Sequence, residues 1–564
     1  MNIPEDQRSK EDPAKQTQAV EALLKEVLSS KLAQYSGKVF AVGGFTRDQL
    51  LGKTPDDIDI VVDDPEQKMK AGEEFARALA RTLNIETPNN PHPLKAEYGI
   101  WGVVLFNPKD SQAVRAPFMY IGVDITGYVL EITPPRRETG YASDKREPER
   151  VEYTSKEDDA RRRDLTINAL YKDIATGEIK DYVGGMQDLK NKNLRPPEHP
   201  DGIQQIYIDD PLRIWRLIRF SGKLPGFKVD PKTEETIKSF LNSSEGSAIV
   251  SDKLSAERIR DELVKILTNP DGNTAVTGLE KMREWGLLKH ISPEFDKMLN
   301  IYHDTRHTHR GESVWEHTMD VLRATPPTLK ARLGALFHDI GKIERVQRIE
   351  KDGEPKVQFI GHQDYGVATA EKALKDLKFD GSIINAIKGI VHSHMGFNEE
   401  SKPSTRLREQ RVLIEKMYDS IDDTLAVMRA DVAVHPERAQ KVDQLSEEIH
   451  RLMEEDRKRG FLTDTGKYIQ PVSGKVILDT FKYLKQEPAL GHIMRKLQTM
   501  FLEGRFDNMG EKQRTQESLK AVKGIAGNII ELDKLRAKLV KEKIEEESLR
   551  QTGTTKAPPS FFHV

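Results

Sequence analysis

The stretch VGGFTRDQLLGKTPDDIDIVV at residues 42–62 restricts the fold more than any other feature. β-Branched segments flank a Gly-Gly pair and a short helical run, so it reads as strand, tight turn, helix and second strand. Gly43 and Gly44 carry no Cβ, which lets the backbone approach a ligand closely. A helix starting there directs unpaired N–H groups at a phosphate. In the second strand, Asp57 and Asp59 share one face and Ile58 takes the other, because strand side chains alternate. Two adjacent carboxylates repel, and a bound cation relieves the repulsion. Ligation by oxygen alone suits magnesium, which combines one or two carboxylates with substrate phosphates and water. The plainer alternative for PDDIDIVVDD is a solvated acidic turn; the preceding Gly-Gly pair weighs against it.

YGIWGVVLF, FMYIGVDIT and YVLEITPP add strand candidates, and TQAVEALLKEVLSSKLAQY precedes them as a helix, with residues 1 to about 18 read as disordered. From about residue 200 helical periodicity dominates. The fold class is therefore α+β: a head with a mixed β-sheet followed by all-helical segments. At 564 residues the chain exceeds what a single core serves. It has no cysteine, so disulfides and thiolate zinc sites are excluded, and any metal must be held by His, Asp or Glu. The net charge of -3 does not by itself indicate a nucleic-acid partner, although local basic patches can hide in such a sum. No apolar run is long enough to span a membrane. MNIPEDQRSKEDPAKQ lacks the apolar core of a secretory signal, which leaves the cytoplasm as the expected compartment.

Three further segments carry chemistry. EDDARRRDLTINALY sets three arginines beside an Asp, pairing guanidinium groups for phosphates with an acceptor for a ribose hydroxyl, and LTINAL draws them toward a cleft. In IDDPLRIWRLIRF, a helix would put Asp210 and Arg213 on one face, an acceptor and a donor able to imitate the edge of a pairing base. A surface ion pair is the bland alternative. Between residues 300 and 435 stand His317, His338-Asp339, His362, His392, His394 and Asp431, a donor set suited to transition metals or magnesium. His303, His307 and His309 lie just upstream, as surface or substrate-proximal groups.

GGFTRDQLLG…DDIDI resembles the opening motif of class II tRNA nucleotidyltransferases and bacterial poly(A) polymerases, in the polymerase-β superfamily; Thr46 stands where that family usually has Val. The resemblance implies that Asp57 and Asp59 hold catalytic magnesium, that Gly43, Gly44 and Arg47 line the triphosphate, and that Asp48 pairs within the motif. It adds Glu131 of YVLEITPPRRETGY as a third acidic group, with an edge-strand Glu as the alternative. It puts Arg163 on the triphosphate, Asp164 near the ribose and Asn168 in support, and makes Asp210, Arg213 and Arg216 nucleotide-binding. Asp209 replaces the family's usual Glu before Asp210. LFHDIGK resembles HD-domain phosphohydrolases, which implies His317, His338, Asp339 and Asp431 as ligands of a divalent metal, with His362 and His394 completing a second position and His392 the next candidate.

The expected organisation is an N-terminal extension and helix over 1–35, a nucleotidyltransferase head over 36–195, a helical neck and RNA-binding region over 196–300, an HD domain over 301–440, a helical tail over 441–550 and a disordered end over 551–564. The expected activity is addition of CCA to tRNA from CTP and ATP, with an HD phosphohydrolase activity. CC-adding, A-adding and poly(A) enzymes share the head motifs and remain alternatives, as does an HD phosphatase or 2′,3′-cyclic phosphodiesterase whose head binds RNA. Oligomeric state stays open.

Overall fold

Strand alternation builds the head. In this computed structural model, described over residues 10–105, 118–139, 150–302, 313–351, 354–395, 402–469, 473–481, 487–507, 509–510 and 512–527, helix α1 (Pro13–Ser29) comes first. It starts earlier than the apolar periodicity suggests, because Asp12 accepts from the Ala14 N–H at 3.0 Å and Pro13 occupies the first turn. Then follow β1 (Val39–Val42), α2 (Gly44–Leu50), β2 (Asp59–Val62), α3 (Ala71–Thr82), β3 (His92–Lys95) and β4 (Ile100–Val104). The next elements are β5 (Met119–Tyr120), β6 (Val123–Asp124), β7 (Val129–Thr133), β8 (Arg136–Thr139), β9 (Arg150–Tyr153), α4 (Lys156–Arg161), β10 (Leu170–Asp173) and β11 (Ile179–Asp181). FMYIGVDIT is not one strand: Ile121 and Gly122 both take positive φ (43° and 80°), so the chain turns between β5 and β6.

Seven strands form one sheet in the order β11-β10-β1-β2-β7-β4-β3. Its pairings are antiparallel except β2 with β7. On one face Val39, Ala41, Ile58, Ile60 and Val62 pack with Val20 and Leu24 of α1 and Phe75 and Leu79 of α3. Helix α1 therefore shares the head's own core. On the other face Phe40, Val42 and Val61 meet Ala160, Ala169 and Tyr171. Asp59 precedes Ile60 in β2 and so projects to this second face, beside Val61.

Two helices continue from the head, α6 (Ile203–Asp209) and α7 (Leu212–Lys223), after α5 (Gly185–Asn191). Among these helices a short parallel pair joins Asn193–Leu194 to Lys228–Val229, which the helical periodicity does not reveal.

The chain divides into two compact units, one of Met1–His303, Gly311–Arg323 and Lys372–Asp380, the other of Asp304–Arg310, Ala324–Glu371 and Gly381–Val564. The second unit contains the helices Leu329–Phe337, Gly381–Ser393, Pro403–Met417, Ile421–Asp431 and Pro436–Lys458. It also holds a β-hairpin, Gln347–Lys351 with Glu354–Gln358, where the sequence reads only as a break between helices. Arg411 anchors the tail end of this unit. It is buried against Asp456, at 2.8 and 2.7 Å, and Asp507, at 2.9 Å, beside the rings of Phe461, Tyr468 and Phe501.

Candidate active site of the head and candidate metal cluster of the second unit

In the head, the parallel register of β2 and β7 sets Asp59 directly opposite Glu131. Strand β7 lies between β2 and β4, so Glu131 is not on a sheet edge. Asp57 lies just before β2 and is exposed, Ile58 after it is buried, and Asp59 opens onto the cleft with its carboxyl largely enclosed by the cleft walls. Burial in the cleft, Asp57 and Glu131 together push the Asp59 carboxyl up to about 6, against the pull of Arg163 and Arg216. Close carboxylates strained in this way fit a divalent cation, and a pair of protein ligands suits magnesium.

Gly43 covers this group. Its φ of 72° is a conformation natural to glycine, and a Cβ there would stand 3.4 Å from Asp59 Oδ2 and 4.0 Å from Arg163 NH1. Thr46 is buried and donates to the Ala41 carbonyl at 3.0 Å, closing the turn. Arg47 corrects the expectation that it lines the triphosphate. Its guanidinium is buried, paired with both Asp48 oxygens at 2.7 Å and donating to Asn168 Oδ1 at 2.7 Å, so it latches the turn to the next motif. Gly44 begins α2 and is likewise absent from the residues lining the cleft. Asn168 passes the support on, donating to Asp164 Oδ1 at 3.0 Å.

The cleft, about 360 Å³, sets Asp59, Glu131, Asp164 and Asp210 among Arg136, Arg162, Arg163, Arg213 and Arg216. Such a lining matches a polyanion accompanied by a cation. Its organiser is a residue the sequence reading passed over. Asp159 is completely buried and accepts from Arg162 at 2.8 and 2.6 Å, from Arg163 at 3.1 Å, from the Arg136 N–H at 3.0 Å and from the Tyr171 hydroxyl. Burial alone would raise its carboxyl, but Arg162 and Arg163 hold it well below the usual range. The spacing of Asp159 to Arg162 and Arg163, three and four residues along a helical turn, was the available signal. Asp164 pairs with Arg216 at 2.7 Å; burial opposes its ionisation, and Arg216, the Asn168 amide, Arg219 and Arg213 overcome that and keep it low.

Asp210 and Arg213 both line the cleft, but not from one helix. Asp210 sits at the joint between α6 and α7, in extended backbone before Pro211, as a residue preceding proline must. Their backbones are bonded, the Arg213 N–H donating to the Asp210 carbonyl at 3.1 Å, but their side chains take other partners. Asp210 accepts from Arg258 at 2.9 Å and from the Leu212 N–H at 3.2 Å, and Arg213 donates to the Arg162 carbonyl at 2.8 Å.

In the second unit, Gly341 makes a tight crossing. A Cβ there would stand 1.9 Å from the His362 carbonyl oxygen and 2.5 Å from Gly366 N, so only glycine brings the LFHDIGK segment against the helix His362–Asp376. The crossing gathers His338, Asp339, His362, His394 and Asp431. His338, His362 and His394 each place Nδ1 at 2.7, 2.9 and 2.7 Å from the carbonyls of Ala335, Phe359 and Val391. A carbonyl only accepts, so each Nδ1 bears the proton and each Nε2 offers a lone pair inward. His362 Nε2 and His394 Nε2 then face each other at 3.3 Å, and both reach Asp339 Oδ1, at 3.4 and 3.7 Å. His338 Nε2 stands 3.2 Å from Asp339 and 3.7 Å from Asp431. Lone pairs converging on carboxylates fit a divalent cation. Asp339, His362 and His394 lie within 4.8 Å of one another and are all buried. His392 is outside the cluster, exposed and 3.8 Å from Asp364. His317 is buried on the helix Val314–Ala324. His303, His307 and His309 lie outside the described residues.

Comparison with known proteins gives three family matches: the poly A polymerase head domain over residues 39–92 and 105–195, a probable RNA and SrmB-binding site of polymerase A over 226–299, and the HD domain over 314–432. A CC-adding tRNA nucleotidyltransferase of Thermus thermophilus is 29% identical over 401 residues, covering 69% of this chain and 76% of that protein. An A-adding tRNA nucleotidyltransferase of Deinococcus radiodurans is 30% identical over 281 residues, 49% of this chain and 59% of that one. The matched stretch spans 35% of the length of one curated relative and 84% of that of another. The apo form II structure of a CCA-adding enzyme shares the fold, with a TM-score of 0.50 at 18% identity over 89% of this chain and 95% of that chain.

Proposed function

Because this chain belongs to the tRNA nucleotidyltransferase and poly(A) polymerase family that carries an HD domain, we propose that it adds CCA to the 3′ end of tRNA from CTP and ATP. The observation that carries this reading is the in-register Asp59–Glu131 pair beneath Gly43, facing arginines held by one buried carboxylate, Asp159.

In this reading Asp57 and Asp59 hold magnesium. When bound, the metal neutralises triphosphate charge and favours ionisation of the RNA 3′-hydroxyl. Arg162 and Arg163 receive the triphosphate, Asp164 the ribose, and Arg216 keeps Asp164 ionised. The 3′-oxygen forms a bond to the α-phosphorus while the bond to the β-phosphate bridge breaks, so pyrophosphate leaves with its electron pair. Asp210 and Arg213, anchored by Arg258 and by the Arg162 carbonyl, read the base edge without a nucleic-acid template. The rest of the rate comes from positioning and charge neutralisation.

The His/Asp cluster supports a second, phosphohydrolase activity, with His338, Asp339, His362, His394 and Asp431 holding a divalent metal and His317 proposed to complete the set. The cytoplasm is the proposed compartment; among the described residues no helix is long and apolar enough to cross a membrane.

The test uses two tRNA substrates, one ending at the nucleotide before CCA and one ending in CC. A full CCA enzyme extends the first with CTP and the second with ATP. Extension of only the first identifies a CC-adding enzyme, extension of only the second an A-adding enzyme, and long A tails on either a poly(A) polymerase.

A further inference from the structure

Asp57 lies two residues before the start of β2, and among the described residues its carboxylate has no hydrogen-bond partner. Its direction therefore depends on its own φ and ψ. Side chains distant in sequence stand at the flanking peptides, and one of them is bonded to the backbone. The Thr17 hydroxyl donates to the Asp56 carbonyl at 2.8 Å, holding the peptide before Asp57. With that proton committed, Thr17 Oγ1 accepts from the Tyr128 hydroxyl 2.8 Å away. The Tyr128 hydroxyl oxygen stands near the Ile58 N–H, at the peptide after Asp57. Two bonds with one consistent proton direction thus run from Tyr128 through Thr17 to the backbone beside Asp57. The clamp is itself anchored. Thr17 is completely buried on α1, and Ile58 is core. Helix α1 is tied to the head by Gln16 donating to the Asp124 carbonyl at 2.7 Å and by Glu21 bonded to Lys172 at 2.6 Å and Gln49 at 2.7 Å.

We propose that Thr17 and Tyr128 are positioning residues that set the backbone of Asp57 and thereby preorganise the metal-holding carboxylate pair. This rests on the reading that Asp57 and Asp59 hold the metal. The helix before the head would then act on the chemistry without touching substrate. Two buried hydroxyls that merely satisfy nearby polar groups would affect stability but not metal capture, and that difference is measurable.

The experiment compares the full-length wild type with Thr17→Val, Thr17→Ser, Tyr128→Phe and Asp57→Ala, each checked for folding by thermal melting. Manganese binding is followed by calorimetry, and the component that Asp57→Ala removes is assigned to the head. Addition of CMP to tRNA is then measured against magnesium at saturating CTP. Thr17→Val and Tyr128→Phe should weaken the head manganese component and raise the half-saturating magnesium concentration about tenfold, as supporting partners of metal ligands do. KM for CTP should stay within about twofold, since substrate contacts are intact, and Thr17→Ser should restore both readouts. If one variant does not fold, the other carries the test. Manganese binding and magnesium dependence like the wild type in a folded Thr17→Val or Tyr128→Phe overturn the proposal. Addition and full manganese binding retained by Asp57→Ala instead remove the metal assignment, and the proposal with it.

Discussion

Replacing Asp159 by Asn keeps the shape of the side chain and removes its charge. The carboxylate is completely buried and binds two arginines, a backbone N–H and a tyrosine hydroxyl. Asn retains one acceptor oxygen but presents N–H groups where Arg162 and Arg163 also present donors. Removing one partner of a buried ion pair leaves the other charge uncompensated, which typically costs about 3–5 kcal/mol. No screening discount applies to a carboxylate with 0% exposure, although Arg162 and Arg163 remain 24% and 17% exposed and recover some hydration. The expected loss is thus about 3 kcal/mol. The pH dependence follows from the lowered carboxyl: its contribution is full above the unfolded carboxylate range and is lost as pH falls through the folded value. Urea unfolding at pH 7 and at a series of pH values down into strong acid, followed by circular dichroism, measures both effects. The wild type should keep this contribution at pH 7 and lose it only in strong acid, while Asp159→Asn lacks it throughout. A loss below about 1 kcal/mol at pH 7 would refute the argument, because it would equate the site with an exposed ion pair.

Other perturbations probe separate parts of the account. The Asp59 carboxyl is raised to about 6 from 3.8 by burial, Asp57 and Glu131, so in metal-free protein it contributes stability below 3.8 that is lost as pH rises through about 6. Nucleotide addition should correspondingly fall as pH drops below about 6, with the inflection moving lower as magnesium rises and competes with the proton; a profile flat from pH 8 to 5 refutes this. Gly43→Ala forces a Cβ onto a residue at φ 72°, 3.4 Å from Asp59 Oδ2, and should cut the rate of addition at least about tenfold with a strain cost of about 1–3 kcal/mol. An unchanged rate would show that the turn has slack. His362→Ala should lower the metal content of the purified protein, measured by plasma mass spectrometry, and abolish hydrolysis of a model phosphodiester. Full metal content would remove His362 from the cluster.

The parts of the site legible in the sequence are those set by local periodicity. Asp57-Ile58-Asp59 announces one buried and two projecting side chains, and the Gly-Gly pair announces the turn above them. Which strand lies next to β2 is a non-local fact, so Glu131 could be suspected only through resemblance and was fixed by the β2–β7 register. Arg47 misled for the opposite reason. It sits in the motif, but the adjacent Asp48 satisfies both arms of its fork and withdraws it from the cleft. An Asp three residues before an Arg suits a helix, whereas Pro211 fixes the break that carries Asp210. The early start of α1 depended on a cap, Asp12-Pro13, which hydrophobic pattern does not register. In the second unit, LFHDIGK foretold the cluster. The preference for His394 over His392 came with the resemblance, and the helix geometry gives its physical reason, turning one imidazole inward and leaving the other exposed.

The most direct test of the central claim is to give wild type and Asp57→Ala the same tRNA ending just before CCA, with magnesium and all four nucleoside triphosphates, and to sequence the 3′ ends. The account predicts C, C and A added in that order by the wild type, with no U or G, and no extension by Asp57→Ala. Unextended tRNA with the wild type, or equal extension by the variant, would contradict it.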